Sequence, residues 1–310
     1  VTTFEEDDLF DIADGKPFNP MYPGEEGIDR DQWQRPLIKP DPRWPGGIWK
    51  DGPPISGRKP RPYTRCTTLS GAMDQGYGLG WWMRRQVALS IARRPDLQAL
   101  LCTLTYADGR EIDAICEEAM TRAKDDTENK DDPDNTLIAA ARGTAFHRFS
   151  TPGGPIIDPT FGPRLSAYAL SAAMMFKALD DADLEIVSSE RFVVVDHLES
   201  GGTYDHLLLD RRTGKVKMAD KKTGKHYWPQ HITQVDTYAS GKHYDPVTGK
   251  RSGLHPDFDP TEGFILSTNL DTGGCEVYAI DLTENYAETA KRVHTLNTSK
   301  MIKSLVSLRK

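Results

Sequence analysis

The sequence predicts a mixed α/β fold, an α+β arrangement in which helices flank one central mixed sheet. Three observations predict it. Residues 64–180 carry apolar side chains at three- and four-residue spacing, the period of a helix. Residues 184–222 switch to strand-like runs joined by short turns. Two more such runs, 263–269 and 275–281, follow a second helical stretch. Runs of helix, then strands, then helix and strands again are the order expected of helices layered on a sheet.

Each element has its own signal. Residues 1–62 hold eleven of the 21 prolines, in clusters such as DPRWPGGIWKDGPP. Proline fixes φ and removes a donor, so no helix or central strand can run through this stretch. It is expected to be an extended arm or tail, with Trp33, Trp44 and Trp49 laying part of it on the globular body. Residues 80–93 place Trp82, Val87 and Ile91 on one helical stripe, and Pro95 opens or ends a helix beside it. Residues 110–124 repeat the spacing with Ile112, Ile115, Cys116 and Met120. The acidic stretch 125–135 reads as a loop. Helices follow over about 136–149 and 163–180. Strands are expected over 184–197, 203–210 and 215–222, with RRTG as the last turn. A helix over 228–242, a late hairpin across DTGG, and a helix over about 283–308 complete the chain.

The chain has 310 residues, 46 acids and 39 bases, for a net charge of -7, which argues against a non-specific nucleic-acid coat protein. The charge is uneven. Residues 1–14 and 125–134 each hold six acids. Residues 211–225 hold seven bases (Arg211, Arg212, Lys215, Lys217, Lys221, Lys222 and Lys225) against the single acid Asp220. The four cysteines, Cys66, Cys102, Cys116 and Cys275, form no C-x-x-C pair, so neither a zinc ribbon nor a disulfide framework is expected. Cys102 and Cys116 are expected in the core, as free cysteines usually are. No run of about 18 apolar residues exists, so no transmembrane helix is expected. The acidic start is unlike a secretory signal, and a cytoplasmic setting is expected.

The RRTG hairpin carries the chemistry. With its turn centred between Arg212 and Thr213, facing residues have numbers that add to 425, which sets Asp205 opposite Asp220. Alternation puts Lys222 on the face of Asp220. Two carboxylates side by side repel unless something offsets them, and a divalent cation does so through oxygen ligands. A nearby ammonium stabilises developing negative charge. An ordinary polar hairpin with solvated Asp and Lys side chains has the same pattern. His147 ends a predicted helix in GTAFH, and Gln234 and Tyr238 share a helix face four residues apart.

Taken in order, GTAFH, GGTYD, DKKTGK and Q-x-x-x-Y resemble the PD-(D/E)XK nuclease superfamily, in its RecB-like and Cas4-like exonuclease branch as encoded by actinobacterial phages. The resemblance covers about 140–240, and 63–100 also looks like the N-terminal part of such nucleases. It implies a restriction-endonuclease-like core within a nuclease domain over 63–310, with a helical part over 63–135 and a catalytic core over 136–310. It makes His147, Asp205 and Asp220 side-chain metal ligands, with the carbonyl of Lys221 as a further one. Lys222 would position or activate the attacking water, and Gln234 and Tyr238 would orient Lys222 and the scissile phosphate. Glu190 matches a glutamate often seen on the preceding strand, near the metal or its waters. The metal would be magnesium or manganese.

The implied activity is DNA exonuclease action in phage recombination, repair or genome processing. The implied partners are DNA and a recombinase or single-strand-annealing protein, with the bases of 211–225 on the DNA backbone. Only Cys275 follows the nuclease core, so no iron–sulfur cluster is expected. No G-x-x-x-x-G-K-[ST] is present, so no ATPase is expected. Two alternatives share the pattern: a non-catalytic DNA-binding recombination accessory protein, and a structure-selective endonuclease.

Overall fold

A computed structural model describes residues 27–42, 59–73, 77–105, 108–125, 143, 146–147, 149–151, 163–223 and 228–298. The acidic residues 1–14, the acidic stretch 125–134 beyond Asp125, most of the helix expected over 136–149, Trp44, Trp49, Lys225 and residues 299–310 lie outside them. The chain divides into two compact units, one of Val1–Asp74 with Ala145–Lys310 and one of Gln75–Thr144.

The smaller unit is helical. It contains α2 (Tyr77–Ala92), α3 (Pro95–Cys102) and α4 (Gly109–Asp125), which follow α1 (Cys66–Ser70) in the chain and lie close to the ranges the apolar spacing predicts. Pro95 opens α3, where its missing N–H costs nothing. Leu97, Ile115 and Ala119 form the buried centre, with Val87, Ile91, Leu101 and Leu104 packed around it. The expectation that Cys102 and Cys116 are core residues fails for Cys102, which is exposed, while Cys116 is half-buried. On α3 the inward row is Leu97 and Leu101, and Cys102 stands about 100° further round the helix.

The larger unit is built on a mixed sheet. Its long strands are β4 (Leu184–Val195), β5 (Ser200–Asp210), β6 (Lys215–Lys222), β9 (Phe258–Thr268) and β10 (Cys275–Asp281). Short strands β3 (Thr64–Arg65), β7 (Lys242–Tyr244) and β8 (Arg251–Ser252) complete it. The order is β10-β9-β6-β5-β4-β7-β8, with β3 against β5. β6 and β9 run parallel, which demands a crossover, and α6 (Trp228–Ala239) lies in that connection. The helix predicted over 228–242 stops at Ala239 because 242–244 pairs with β4 instead.

Successive strand residues point to opposite faces. Met218 and Ile265 join Val235 and Tyr238 of α6 in one core. Their neighbours Ala219, Phe264 and Leu266 join a second core with Met175 and Leu179 of α5 (Pro163–Asp181), and with Phe146. The sheet is thus covered by α6 on one face and by α5 on the other. Near the chain's end, α7 (Tyr286–Thr298) follows β10, its start fixed by the Asp236 carboxylate accepting the Ala287 N–H at 2.8 Å. Among the described residues no helix is long and apolar enough to cross a membrane.

The described proline-rich residues are packed. β1 (Leu37–Ile38) pairs with β2 (Arg61–Pro62). Ile38 and Tyr63 are buried against Phe192, Val194 and Tyr244. Tyr63 Oη donates to Asp196 Oδ1 at 2.8 Å, and Arg251 grips both oxygens of the same carboxylate at 2.9 and 3.1 Å. Trp33, expected as an anchor, is 66 % exposed; Ile38 and Tyr63 do that work.

Two stability predictions arise here. A Cβ at Gly263 would sit 2.6 Å from Val235 Cγ1 and 3.1 Å from the Met218 carbonyl oxygen. β9 therefore needs glycine where α6 presses on it. Gly263→Ala is expected to cost about 2 kcal/mol by overpacking, read as a lower urea midpoint at unchanged slope.

The second concerns His243, which is buried with Nε2 2.9 Å from Tyr204 Oη. Burial, with Arg191 second, lowers its pKa to about 4. The unfolded chain binds the proton near pH 6.5, the folded protein only near 4, so this group's support for folding is lost as pH falls from 6.5 to 4. Its share is about 3 kcal/mol at most. His243→Gln is expected to flatten the acid limb of a pH-dependent urea series.

Candidate functional site

The hairpin register is the one the turn predicts. His206↔Ala219, Leu207↔Met218, Leu208↔Lys217, Leu209↔Val216 and Asp210↔Lys215 pair across β5 and β6, each adding to 425. Pairing stops at His206↔Ala219, and the next position in register is Asp205 opposite Asp220. There the Asp205 Oδ2 carboxylate oxygen accepts the Lys221 backbone N–H at 2.6 Å, in place of a backbone rung. β4 pairs along the other edge of β5, with Ser189↔His206 and Arg191↔Tyr204, which sets Glu190 in register with Asp205. That rung is missing too. Glu190 has φ +48, a left-handed conformation inside a strand. Such strain costs on the order of 1–3 kcal/mol and is retained where function needs it. Glu190, Asp205 and Asp220 therefore form a row across three adjacent strands, at the place where both ladders open.

The two sheet faces feed this row differently. On the α5 face, Phe146 is buried in the core and its neighbour His147 turns towards the row. His147 Nδ1 lies 3.3 Å from Asp205 Oδ1 and 4.0 Å from Glu190 Oε1. Lys221, opposite in parity to Asp220, sends its ammonium to the same side, 3.2 Å from Glu190 Oε1. On the α6 face, Lys222 Nζ lies 2.6 Å from Asp220 Oδ2 and donates to Gln234 Oε1 at 3.0 Å. Gln234 Nε2 donates to Asp220 Oδ1 at 3.1 Å and reaches Tyr238 Oη at 3.5 Å. Asp205 touches both groups: its carboxylate meets His147 and Lys221 directly and feels the charge of Lys222.

Glycine makes room for this arrangement. A Cβ at Gly202 in GGTYD would meet Tyr238 Cε1 at 3.2 Å and Cys66 Cβ at 3.3 Å. Tyr238 is 3 % exposed and stands behind Gln234. Burial drives its phenol pKa well up, so it acts as a neutral hydroxyl.

The carboxylates divide in their proton affinity. Burial would raise Asp205, but His147, Lys221 and Lys222 outweigh burial and hold it well below the usual carboxylate range. Burial raises Asp220 to about 6, with Asp205 adding repulsion and Lys222 opposing. Burial and then Asp205 also raise Glu190, against Lys221 and His147. His206, fully buried with Nδ1 2.7 Å from Ser189 Oγ, is held neutral by burial and by Lys221.

Among the described residues, His147, Glu190 and Asp205 offer one imidazole nitrogen and two carboxylate oxygens within 4.8 Å of one another, and this group could hold a metal ion. The donor chemistry fits a divalent cation, since both carboxylates are only 8 % exposed and repel each other. Of the three side-chain ligands the resemblance implies, this group contains His147 and Asp205. Asp220 stands outside the group because Lys222 and Gln234 hold it on the other face. Its buried Oδ2 is paired with the Lys222 ammonium at 2.6 Å. Glu190, ranked below Asp220 from the sequence, stands inside.

Besides Lys221 and Lys222, three of the seven bases of 211–225 make ion pairs within the hairpin and its neighbours. Arg211 pairs with Asp180 and Glu185, Arg212 with Asp210, and buried Lys217 with Asp210 and Glu262. The turn also lies five paired rungs from Asp205, roughly 17 Å along the strand.

No family model matches the chain, and a search of curated proteins finds no match.

Proposed function

We propose that this protein is a metal-dependent deoxyribonuclease, an exonuclease on a PD-(D/E)XK core. One observation carries the reading. The Asp205 carboxylate stands between a metal-ligating set, His147 with Glu190, and a charge-positioning set, Asp220, Lys222 and Gln234. A polar hairpin with merely solvated charges would not bury three carboxylates in one row.

A magnesium or manganese ion held by His147, Glu190 and Asp205 would lower the pKa of a water and neutralise charge on the phosphate. The resemblance adds Asp220 and the Lys221 carbonyl to those ligands. The side chains supply the rest. Lys222, 21 % exposed, presents its ammonium to a substrate phosphate. Gln234 fixes that ammonium by accepting from it while donating to Asp220, and Tyr238 backs Gln234. The same resemblance supports a place in phage DNA recombination, repair or genome processing in the host cytoplasm, beside a recombinase or single-strand-annealing protein.

The test is digestion of end-labelled linear DNA with magnesium, manganese or chelator. Metal-dependent loss from the ends, with a covalently closed circle left intact, supports the exonuclease. Cutting of the circle makes it a structure-selective endonuclease. DNA binding without digestion under either metal leaves the non-catalytic accessory protein.

A further inference from the structure

The Lys221 side chain has no part in the chemistry above, yet it is the most deeply buried charge of the site. Its side chain is 0 % exposed, and its ammonium has three oxygen partners. They are Glu190 Oε1 at 3.2 Å, Thr151 Oγ1 at 3.3 Å and the His147 carbonyl oxygen at 3.4 Å. Thr151 ties the set together, lying 2.8 Å from the same His147 carbonyl and 3.3 Å from Glu190 Oε1. A buried ammonium is costly unless paired and hydrogen-bonded, and here it is both.

Its partners make the arrangement informative. Glu190 belongs to β4 and His147 to the helical segment packed beside α5. A cation held by His147, Glu190 and Asp205 would bridge those same two elements. The ammonium bridges them already, through Glu190 Oε1 and the His147 carbonyl oxygen. It also offsets the repulsion between Glu190 and Asp205 that a divalent ion would otherwise have to offset.

We propose that Lys221 is a resident counter-cation of the site. It keeps Glu190 and the His147 segment assembled when no metal is bound, and it weakens divalent-ion binding by competing for the charge of Glu190. This rests on the proposed reading only in that the site takes a divalent ion.

The test is calorimetric titration of Mn2+ into the full chain and its Lys221→Met variant, with melting measured in chelator and in saturating Mn2+. Removing a positive charge next to a ligating carboxylate is expected to tighten Mn2+ binding about tenfold or more. The chelated variant is expected to melt about 5–10 °C below the wild type, with most of that loss recovered in Mn2+. Lys221→Gln keeps a donor at the same place without the charge. It is expected to show the same tightening and serves if the Met variant does not fold. Unchanged or weaker Mn2+ binding in the variants, with equal melting losses in chelator and metal, overturns the proposal and leaves the metal site standing. Absence of Mn2+ binding by wild type and variants alike overturns both this proposal and the nuclease reading.

Discussion

Asp205→Asn is expected to reduce DNA cleavage at least about a thousandfold and to abolish the rise in melting temperature on adding Mn2+. Asp205 is the member of the site that touches both groups. Asn keeps the shape, and its amide oxygen can still accept the Lys221 N–H that replaces a backbone rung. What goes is the charge. His147, Lys221 and Lys222 all favour that charge, which is why the carboxyl is held well below its usual range. The variant therefore loses some metal-free stability at neutral pH while remaining folded. A group with a depressed folded pKa supports folding above its unfolded pKa, and the neutral amide cannot. Wild-type cleavage by Asp205→Asn, or an undiminished Mn2+ shift, would remove Asp205 from the site. Circular dichroism in chelator separates loss of metal from loss of fold.

How much of this was legible in sequence depends on how far apart the partners lie along the chain. RRTG is short enough to fix a register, so counting across it set Asp205 opposite Asp220, and β6 begins and ends where the pattern put it. Gln234 and Tyr238 were legible for the same reason, since four residues is one helical turn. Glu190 was legible by the same counting across the DHLE turn, which sets it against Asp205.

Other features had no local signal. Arg211 meets Asp180, and Lys217 meets Glu262, only because separate elements come together. The side chain of Lys221 was readable as facing away from Asp220, but not as reaching His147, whose helical segment is docked by tertiary packing. Strands β7 and β8 are too short to show a period and exist because β4 offers them an edge.

Lys222→Met is expected to separate catalysis from binding. Lys222 lies on the α6 face, paired with Asp220, and its charge also reaches Asp205, so Mn2+ binding measured by calorimetry is expected to be no weaker than in the wild type. DNA binding, measured in calcium to prevent turnover, is expected to hold as well, because one partly exposed ammonium is a small share of a phosphate-contacting surface. The rate is a different matter. The ammonium is fixed between Asp220 Oδ2 at 2.6 Å and Gln234 Oε1 at 3.0 Å, so little reorganisation is needed to present it to a phosphate. Preorganised charge of this kind is worth about 10²–10³ in turnover, and the loss is expected in kcat with KM nearly unchanged. Arg is a poor replacement, since a planar fork does not fit where a compact ammonium sits between a carboxylate and an amide. If the Met variant instead lost affinity for DNA at constant kcat, Lys222 would be a binding residue, and the division of labour across the two faces of the sheet would have to be redrawn.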